Sequence, residues 1–599
     1  MHEFKVWAPR PERVDVVLGD RKLPMRRCDD GWWTATDFAA GPGTDYGFSL
    51  NEGQPRADPR SNFQPFGSKG ASRLVDHGAY AWASNWRGRP LAGSVIYEAH
   101  VGTLSPAGTF TGAIEALPHL ADLGAGVLEL MPVAEFPGSR GWGYDPVNLF
   151  APHHSYGTPS DLKRLVDAAH GHGLAVILDV VWNHLGPSDN YLEEFGPYFT
   201  TRYQTPWGAA VNFDGPGSDE VRRFVISNAM MWLRDYRFDG LRVDAVHAIY
   251  DTSATHVLSE LAARVSALSA HLGRPLYLIA ESDQNDPRLV RAPGLGGYGL
   301  DSCWADDWHH CVHATLTGEN SGYYQDYGSL EGLAKALRQA WVYDGTYSAF
   351  RRRTHGGSPA GLSGPQFVVC TQNHDQVGNR AAGDRTSALL SPARLRVAAA
   401  LLLTSPFTPL IFQGEEWGAS TPFPYFTDHE DPALAAAVRD GRRSEFSAFG
   451  WDPADMPDPQ NSATFWQAKL DWAELSKPAH AELLTWYRDL IRLRASRADL
   501  TDPRLDRVTV TCDPAAGRLL LRRGETLIAV NLGAEDWTCP LGAGSLLATS
   551  DSRIGYVPGG LLLPPDTVAI FGPPPGPGSD APPIPSAPPA PDRNPHTGH

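Results

Sequence analysis

The chain is poor in the residues that would tie it to three common classes. Six cysteines occur in 599 residues, at positions 28, 303, 311, 370, 512 and 539. Neither a disulfide framework nor a zinc motif has that density or spacing. Basic residues are outnumbered, 51 Lys and Arg against 68 Asp and Glu, for a formal charge of −17. Nucleic acid or an anionic membrane surface demands the opposite balance, so neither is expected as a partner. No run of about 18 apolar residues exists, so no membrane-spanning helix is expected. The opening MHEFKVWAPR has no apolar signal core, and a cytoplasmic location is the expectation. Aromatic surface, by contrast, is plentiful, with 18 Trp, 20 Tyr and 23 Phe. Such faces stack on sugars, and they also fill cores. A globular enzyme with a neutral substrate fits this balance.

Residues 1–90 read as all-β. FKVWAP, RVDVVLG, GWWTATDF and DYGFSL are short alternating runs broken by Gly, Pro and Asp. An N-terminal β-sandwich is expected there, closed by a Pro-rich connector over 54–67. From about residue 91 to 495, apolar strands alternate with helical stretches, the pattern of βα units. Eight strands are expected, around Val95–Ala99, Val127–Val133, Ala175–Val181, Leu241–Val246, Leu276–Glu281, Gly299–Trp304, Phe367–Asn373 and Leu410–Gln413. Eight such units predict a (β/α)₈ barrel of the α/β class. The gaps 134–158, 184–217 and 308–365 exceed simple loops, and long loops after barrel strands build substrate sites. Residues 496–572 return to β pattern and predict a C-terminal β-sandwich domain. The tail 573–599, rich in Pro, Ser and Gly, cannot bury enough apolar surface to order.

Chemistry concentrates where the strands end. In GLRVDAVH, Arg242 and Asp244 stand two apart among β-formers, so an extended chain turns both to one face. A buried ion pair is no more stabilising than an apolar replacement, so its presence points to function. Strand 3 ends in ILDVVWNH, with Asp179, Asn183 and His184. Strand 4 adds His247, strand 5 ends in Glu281, and strand 7 ends in NHDQ with His374 and Asp375. Barrel active sites lie at these C-terminal strand ends. Paired carboxylates with one Arg and no metal cluster suit glycoside hydrolysis, in which one carboxyl group attacks or activates and the other protonates the leaving oxygen. An adjacent Arg keeps the first ionised, and burial keeps the proton on the second.

DVVWNH, GLRVDAVH, IAES and NHDQ, in that order, resemble the four signature regions of the α-amylase family of glycoside hydrolases. The resemblance implies Asp244 as nucleophile, Glu281 as general acid/base and Asp375 as transition-state stabiliser. Arg242 would orient Asp244. His184, His247 and His374 would contact the sugar at the cleavage site, and Tyr144, in WGYD, would stack beneath it. Asn183 stands where many family members bind calcium. Calcium takes roughly six to eight oxygens, and no further set is evident, so neither metal nor cofactor is expected.

The N-terminal FKVWAPRPERVDVVL is similar to the sandwich of branching, debranching and trehalose-forming members. Residues 184–224, HDQVGNR and GEEWGASTPFPYFTDH resemble the trehalose-releasing members, whose substrate is maltooligosyltrehalose, an α-glucan oligosaccharide. Selecting a terminal trehalose over a maltose end is a matter of shape, which suits a partly aromatic pocket. Trp207, Glu416, Phe426, Asp428 and His429 are the candidates for that pocket. A glycogen branching enzyme, an isoamylase-type debrancher and a non-catalytic glycan-binding relative are the alternatives. The intact trio speaks against the last. A monomer is expected.

Overall fold

The computed structural model describes residues 1–445, 456–540 and 544–573. Apart from residue 573, the expected disordered tail lies outside them.

Eight parallel strands close into a barrel. They are β1 (Ile96–Ala99), β2 (Val127–Leu130), β3 (Ala175–Val180), β4 (Gly240–Val243), β5 (Tyr277–Ala280), β6 (Ser302–Trp304), β7 (Phe367–Cys370) and β8 (Thr408–Phe412). Closure comes from β8 pairing with β1, with Leu410 opposite Ile96. These strands are buried on both faces, which explains their near-continuous apolar runs. Their lower inward layers form one apolar cluster, including Ile96, Val127, Ala175, Ile177, Ile279, Val368 and Leu410. Leu91 and Trp86 plug the floor.

Two residues further along β1, β2 and β3, the same face carries Glu98, Glu129 and Asp179. Arg242 lies opposite Asp179 in the β3–β4 register, and Glu129 lies opposite Glu98 in the β1–β2 register. The two-residue period of a strand thus carries the interior from an apolar floor to an ionic upper layer.

Two antiparallel sheets form the N-terminal part. One contains His2–Trp7 and Trp32–Asp37, the other Val14–Leu18 and Asp45–Leu50. They meet across contacts such as Phe4 on Tyr46. This unit also braces the loop after β3. Trp7 packs edge-on against Tyr198, and Arg56 pairs with Glu194 at 2.7 Å. That loop holds the hairpin Phe199–Thr205/Gly208–Val211.

The segment 308–365 is not a loop in the main. Helices Asp306–Thr317 and Leu330–Gln339 occupy much of it, followed by the hairpin Thr346–Ser348/Arg353–His355. Leu330, Leu333, Ala334 and Leu337 make one buried stripe on the second helix, a period the turn-rich flanks obscure. Beyond the barrel, helix Pro478–Ser496 leans on helix Pro392–Thr404 through Trp486, whose indole donates to Arg396 O at 3.0 Å. A five-stranded and a three-stranded sheet follow, packed around Trp537, Leu561 and Ala569. No helix among the described residues is long and apolar enough to cross a membrane.

Candidate active site

The centre of the site is one guanidinium. Arg242, fully buried, donates through Nη1 to both carboxylate oxygens of Asp179 at 2.9 and 2.8 Å and to Asp244 Oδ1 at 2.9 Å. Its Nη2 lies 3.8 Å from Glu281 Oε2. The Trp304 ring covers its face at 4.2 Å, a cation–π contact. The surrounding carboxylates hold its pKa well above the usual value, although burial opposes them. Burial pushes Asp179 up to about 7 against the pull of Arg242.

Asp244 stands just past the end of β4. Asn183 Nδ2 donates to its Oδ2 at 2.7 Å and to its carbonyl at 3.0 Å. The next residue, Ala245, turns left-handed at φ 39°, a conformation with an energetic cost for a residue bearing a Cβ. That turn aims the Ala245 N–H at Glu281 Oε2. Glu281, one residue past β5, therefore faces Arg242 and the backbone of the β4 turn together. Burial raises its carboxyl well above the usual range. Arg242 opposes the shift, while Asp244 and Asp375 add to it. A carboxyl that keeps its proton thus stands beside one held by an Arg, the division of labour that glycoside cleavage needs.

His374 and Asp375 open the helix His374–Gly378 directly after β7. Asp375 is the more exposed of the two, with its Oδ2 3.4 Å from His374 Nε2. Tyr144 stacks on His374 with centroids 5.0 Å apart, and its hydroxyl donates to Asp179. Trp142 meets the same imidazole edge-on at 5.5 Å. The close passage of Trp142 over Gly378 admits no side chain, because a Cβ there would fall 2.0 Å from the ring. His184 donates through Nε2 to Tyr144 O at 2.7 Å, and burial lowers its pKa. Trp207, 46% exposed at the hairpin tip, stacks on His184 at 5.0 Å. His247 lies half-buried in the short turn Val246–Ala248, and its Nδ1 meets no hydrogen-bond partner among the described residues.

Two expected pocket residues lie elsewhere. Glu416 is fully buried and accepts from Tyr97 OH at 3.2 Å, with His119 Nε2 at 2.7 Å from the same oxygen. It braces β1 against the helix Leu117–Leu123 and offers no surface to a ligand. Phe426 is likewise fully buried, in a cluster with Trp142, Phe412 and Phe423. The stretch that contains them follows β8 inward before it surfaces. Asp428 accepts from Ser139 N at 2.9 Å and pairs with Arg140 at 2.7 Å. His429 Nδ1 lies 3.8 Å from Asp145. Both residues anchor the loop that carries Trp142 and Tyr144.

From the sequence, Glu98, Glu129, Trp304 and Asp306 receive no role, and Asn183 stands where many family members bind calcium, with no metal expected here. Asn183 instead serves Asp244, and burial pushes Asp306 up to about 7 near Asp375. A charged residue at an inward strand position, the signal that marks Arg242, also marks Glu98 in IYEAH and Glu129 in VLEL. Among the described residues, Glu135, His153 and His154 form a group with metal-ligand spacing. Both oxygens of Glu135 are engaged by His154, by its N–H and by Nδ1, each at 2.8 Å, so the group is a hydrogen-bonded cluster.

Barrel, rim carboxylates and buried Arg define the α-amylase class, and the "Alpha amylase, catalytic domain" family matches residues 69–205. A "Domain of unknown function (DUF3459)" matches residues 503–570. A malto-oligosyltrehalose trehalohydrolase from Rhizobium sp. (strain M-11) is 47% identical over 95% of this chain and 97% of its own length. One from Mycobacterium tuberculosis is 48% identical over 93% of this chain and 97% of its own. The crystal structure of a putative alpha amylase from Salmonella typhimurium superposes with a TM-score of 0.88 at 38% identity, covering 95% of this chain and 97% of that one. The chain belongs to the malto-oligosyltrehalose trehalohydrolase family, a group of glycosidases within the α-amylase class. Enzymes of that class act on α-glucan oligosaccharides.

Proposed function

We propose that the chain cleaves the α-1,4-glucosidic bond next to the terminal trehalose of maltooligosyltrehalose, releasing trehalose with retention at the anomeric carbon. Glu281 gives its proton to the glycosidic oxygen as an Asp244 oxygen bonds to the anomeric carbon. Water, deprotonated by Glu281, then breaks the glycosyl–Asp244 bond. The observation that carries this reading is the single guanidinium against Asp179, Asp244 and Glu281, which suits the close carboxylate pair of a retaining mechanism, roughly 5–5.5 Å apart. The substrate follows from kinship that spans the loops as well as the barrel.

In this reading Asp375 and His374 hold the hydroxyls of the sugar being cleaved, the Tyr144 ring lies beneath it, and His184, its two ring nitrogens engaged by Asn183 and Tyr144, lines the site by shape. Trp207 offers an exposed flat face on the trehalose side, which suits selection by shape. Incubation with maltotriosyltrehalose, followed by chromatography of the products, tests the proposal. Free trehalose and maltotriose are expected. Release of glucose or maltose alone, or branching of amylose, refutes it.

A further inference from the structure

One side chain on the first strand governs His374 from below. Glu98 is buried on β1, with Oε1 2.5 Å from His374 Nδ1. Its Oε2 accepts the His374 backbone N–H at 3.0 Å. The ring and the first residue of its helix are thus fixed by one carboxylate. With Nδ1–H committed to Glu98, Nε2 is the nitrogen turned to the rim, beside Asp375. Glu135 grips His154 in the same two-point way, so the clamp is a general device of this chain. At Glu98 the clamped ring alone has its far nitrogen against a rim carboxylate.

We propose that Glu98 is a positioning residue, which locks the His374 imidazole so that Nε2–H is presented, in fixed direction, to a sugar hydroxyl shared with Asp375. The inference rests on the glycosidase reading above. The other groups around this ring are consistent with it. His374 has Glu98, Glu129, Asp179, Arg242 and His100 as its titratable and charged neighbours from the surrounding strands, Tyr144 from the loop after β2, and Asp375 beside it. Burial opposes the charge on His374, but Asp375 and Glu98 prevail and raise its pKa to about 9. Glu129, whose two oxygens have no hydrogen-bond partner among the described residues, is pushed well above the carboxylate range by burial. Burial there thus disfavours a further negative charge beneath the ring.

The test is Glu98→Gln in the full chain, with trehalose release followed from pH 5 to pH 10. Gln still accepts the backbone N–H, but its NH₂ then faces Nδ1–H donor to donor, so the charged ring is no longer held. The expected result is a fall in kcat on the order of 10- to 100-fold with KM little changed, the scale of a lost orientation. The His374 pKa, read by NMR titration of the imidazole, should move down, because the ring loses an anion that favours its charged form. In a His374→Gln background the same substitution should add nothing, as expected for a residue acting through that ring. Glu98→Asp is the second variant. It keeps the charge but is one methylene too short for both contacts, so kcat falls while the His374 pKa stays raised. Wild-type kcat in either variant, or full additivity in the cycle, overturns the inference. An inactive wild-type chain overturns the functional reading instead.

Discussion

Replacement of Arg242 by Met keeps the volume near that of the side chain and removes the charge. At 2.8–2.9 Å from Asp179 and Asp244, each pair carries a gross attraction of about 6 kcal/mol at an effective dielectric of ~20. Much of that offsets desolvation, and removing one partner from a buried pair typically costs about 3–5 kcal/mol. The penalty must depend on pH. Burial already raises the folded pKa of Asp179 to about 7, above the unfolded value, and loss of the guanidinium raises it further. A carboxyl raised in this way binds its proton in the folded chain first, so stability is lost as pH rises between about 4 and the folded pKa. Arg242→Met should therefore lose more stability at pH 8 than at pH 5. Activity should move the other way. Without the cation the site favours neutral carboxyls, so the acidic limb of kcat/KM should move up. Urea unfolding at the two pH values, read by Trp fluorescence, and a pH–rate profile with maltotriosyltrehalose check both. An equal stability loss at pH 5 and pH 8 together with an unmoved acidic limb would show that the guanidinium does not hold the carboxylates charged.

Glu281→Gln should lower kcat on the natural substrate by roughly 10²–10⁴-fold, yet far less on an α-maltosyl fluoride, whose leaving group needs no proton. Equal losses on both, measured by fluoride electrode and chromatography, would remove Glu281 from the acid role. In the wild type, activity should fall as pH rises through the raised pKa of Glu281, since the acid then loses its proton. Trp207→Ala should raise KM by about tenfold, the scale of one lost stacking or packing contact, with denaturation unchanged because the ring is half exposed. Gly378→Ala should destabilise the chain by about 1–3 kcal/mol through overpacking against Trp142, read as a lower urea midpoint, with kcat falling as His374 is displaced.

The barrel is legible because its strands are apolar on both faces, and the rim because charge breaks that pattern at fixed strand positions. Arg242 and Asp244 stand out beside Leu241 and Val243, while Glu281 and His374 follow the apolar runs of β5 and β7. Glu98 breaks the same pattern and yields no role from the sequence, since its partner His374 is 276 residues away and no local spacing shows the pair. Glu416 and Phe426 illustrate the opposite failure. Their stretch resembles a substrate loop, but only packing decides that Glu416 turns inward to Tyr97 and His119. The helix Leu330–Gln339 carries its period openly in Leu330, Leu333, Ala334 and Leu337, and only its shortness and the turns on both sides hide it.

The pairing of β8 with β1 also sets a schedule. At roughly 5–20 residues per second of synthesis, the 276-residue interval between Glu98 and His374 takes about 15–55 s to traverse. Through that time β1 has one free edge, and the upper ionic layer has its carboxylates without its imidazole. The nascent chain therefore carries an open strand edge and a half-built charge cluster for nearly half of its elongation. The N-terminal sheets, complete before β1 emerges, are then a finished folding unit beside an unfinished one. Catalytic competence is the last property to arrive, and its recovery on refolding would time the closure of the barrel itself.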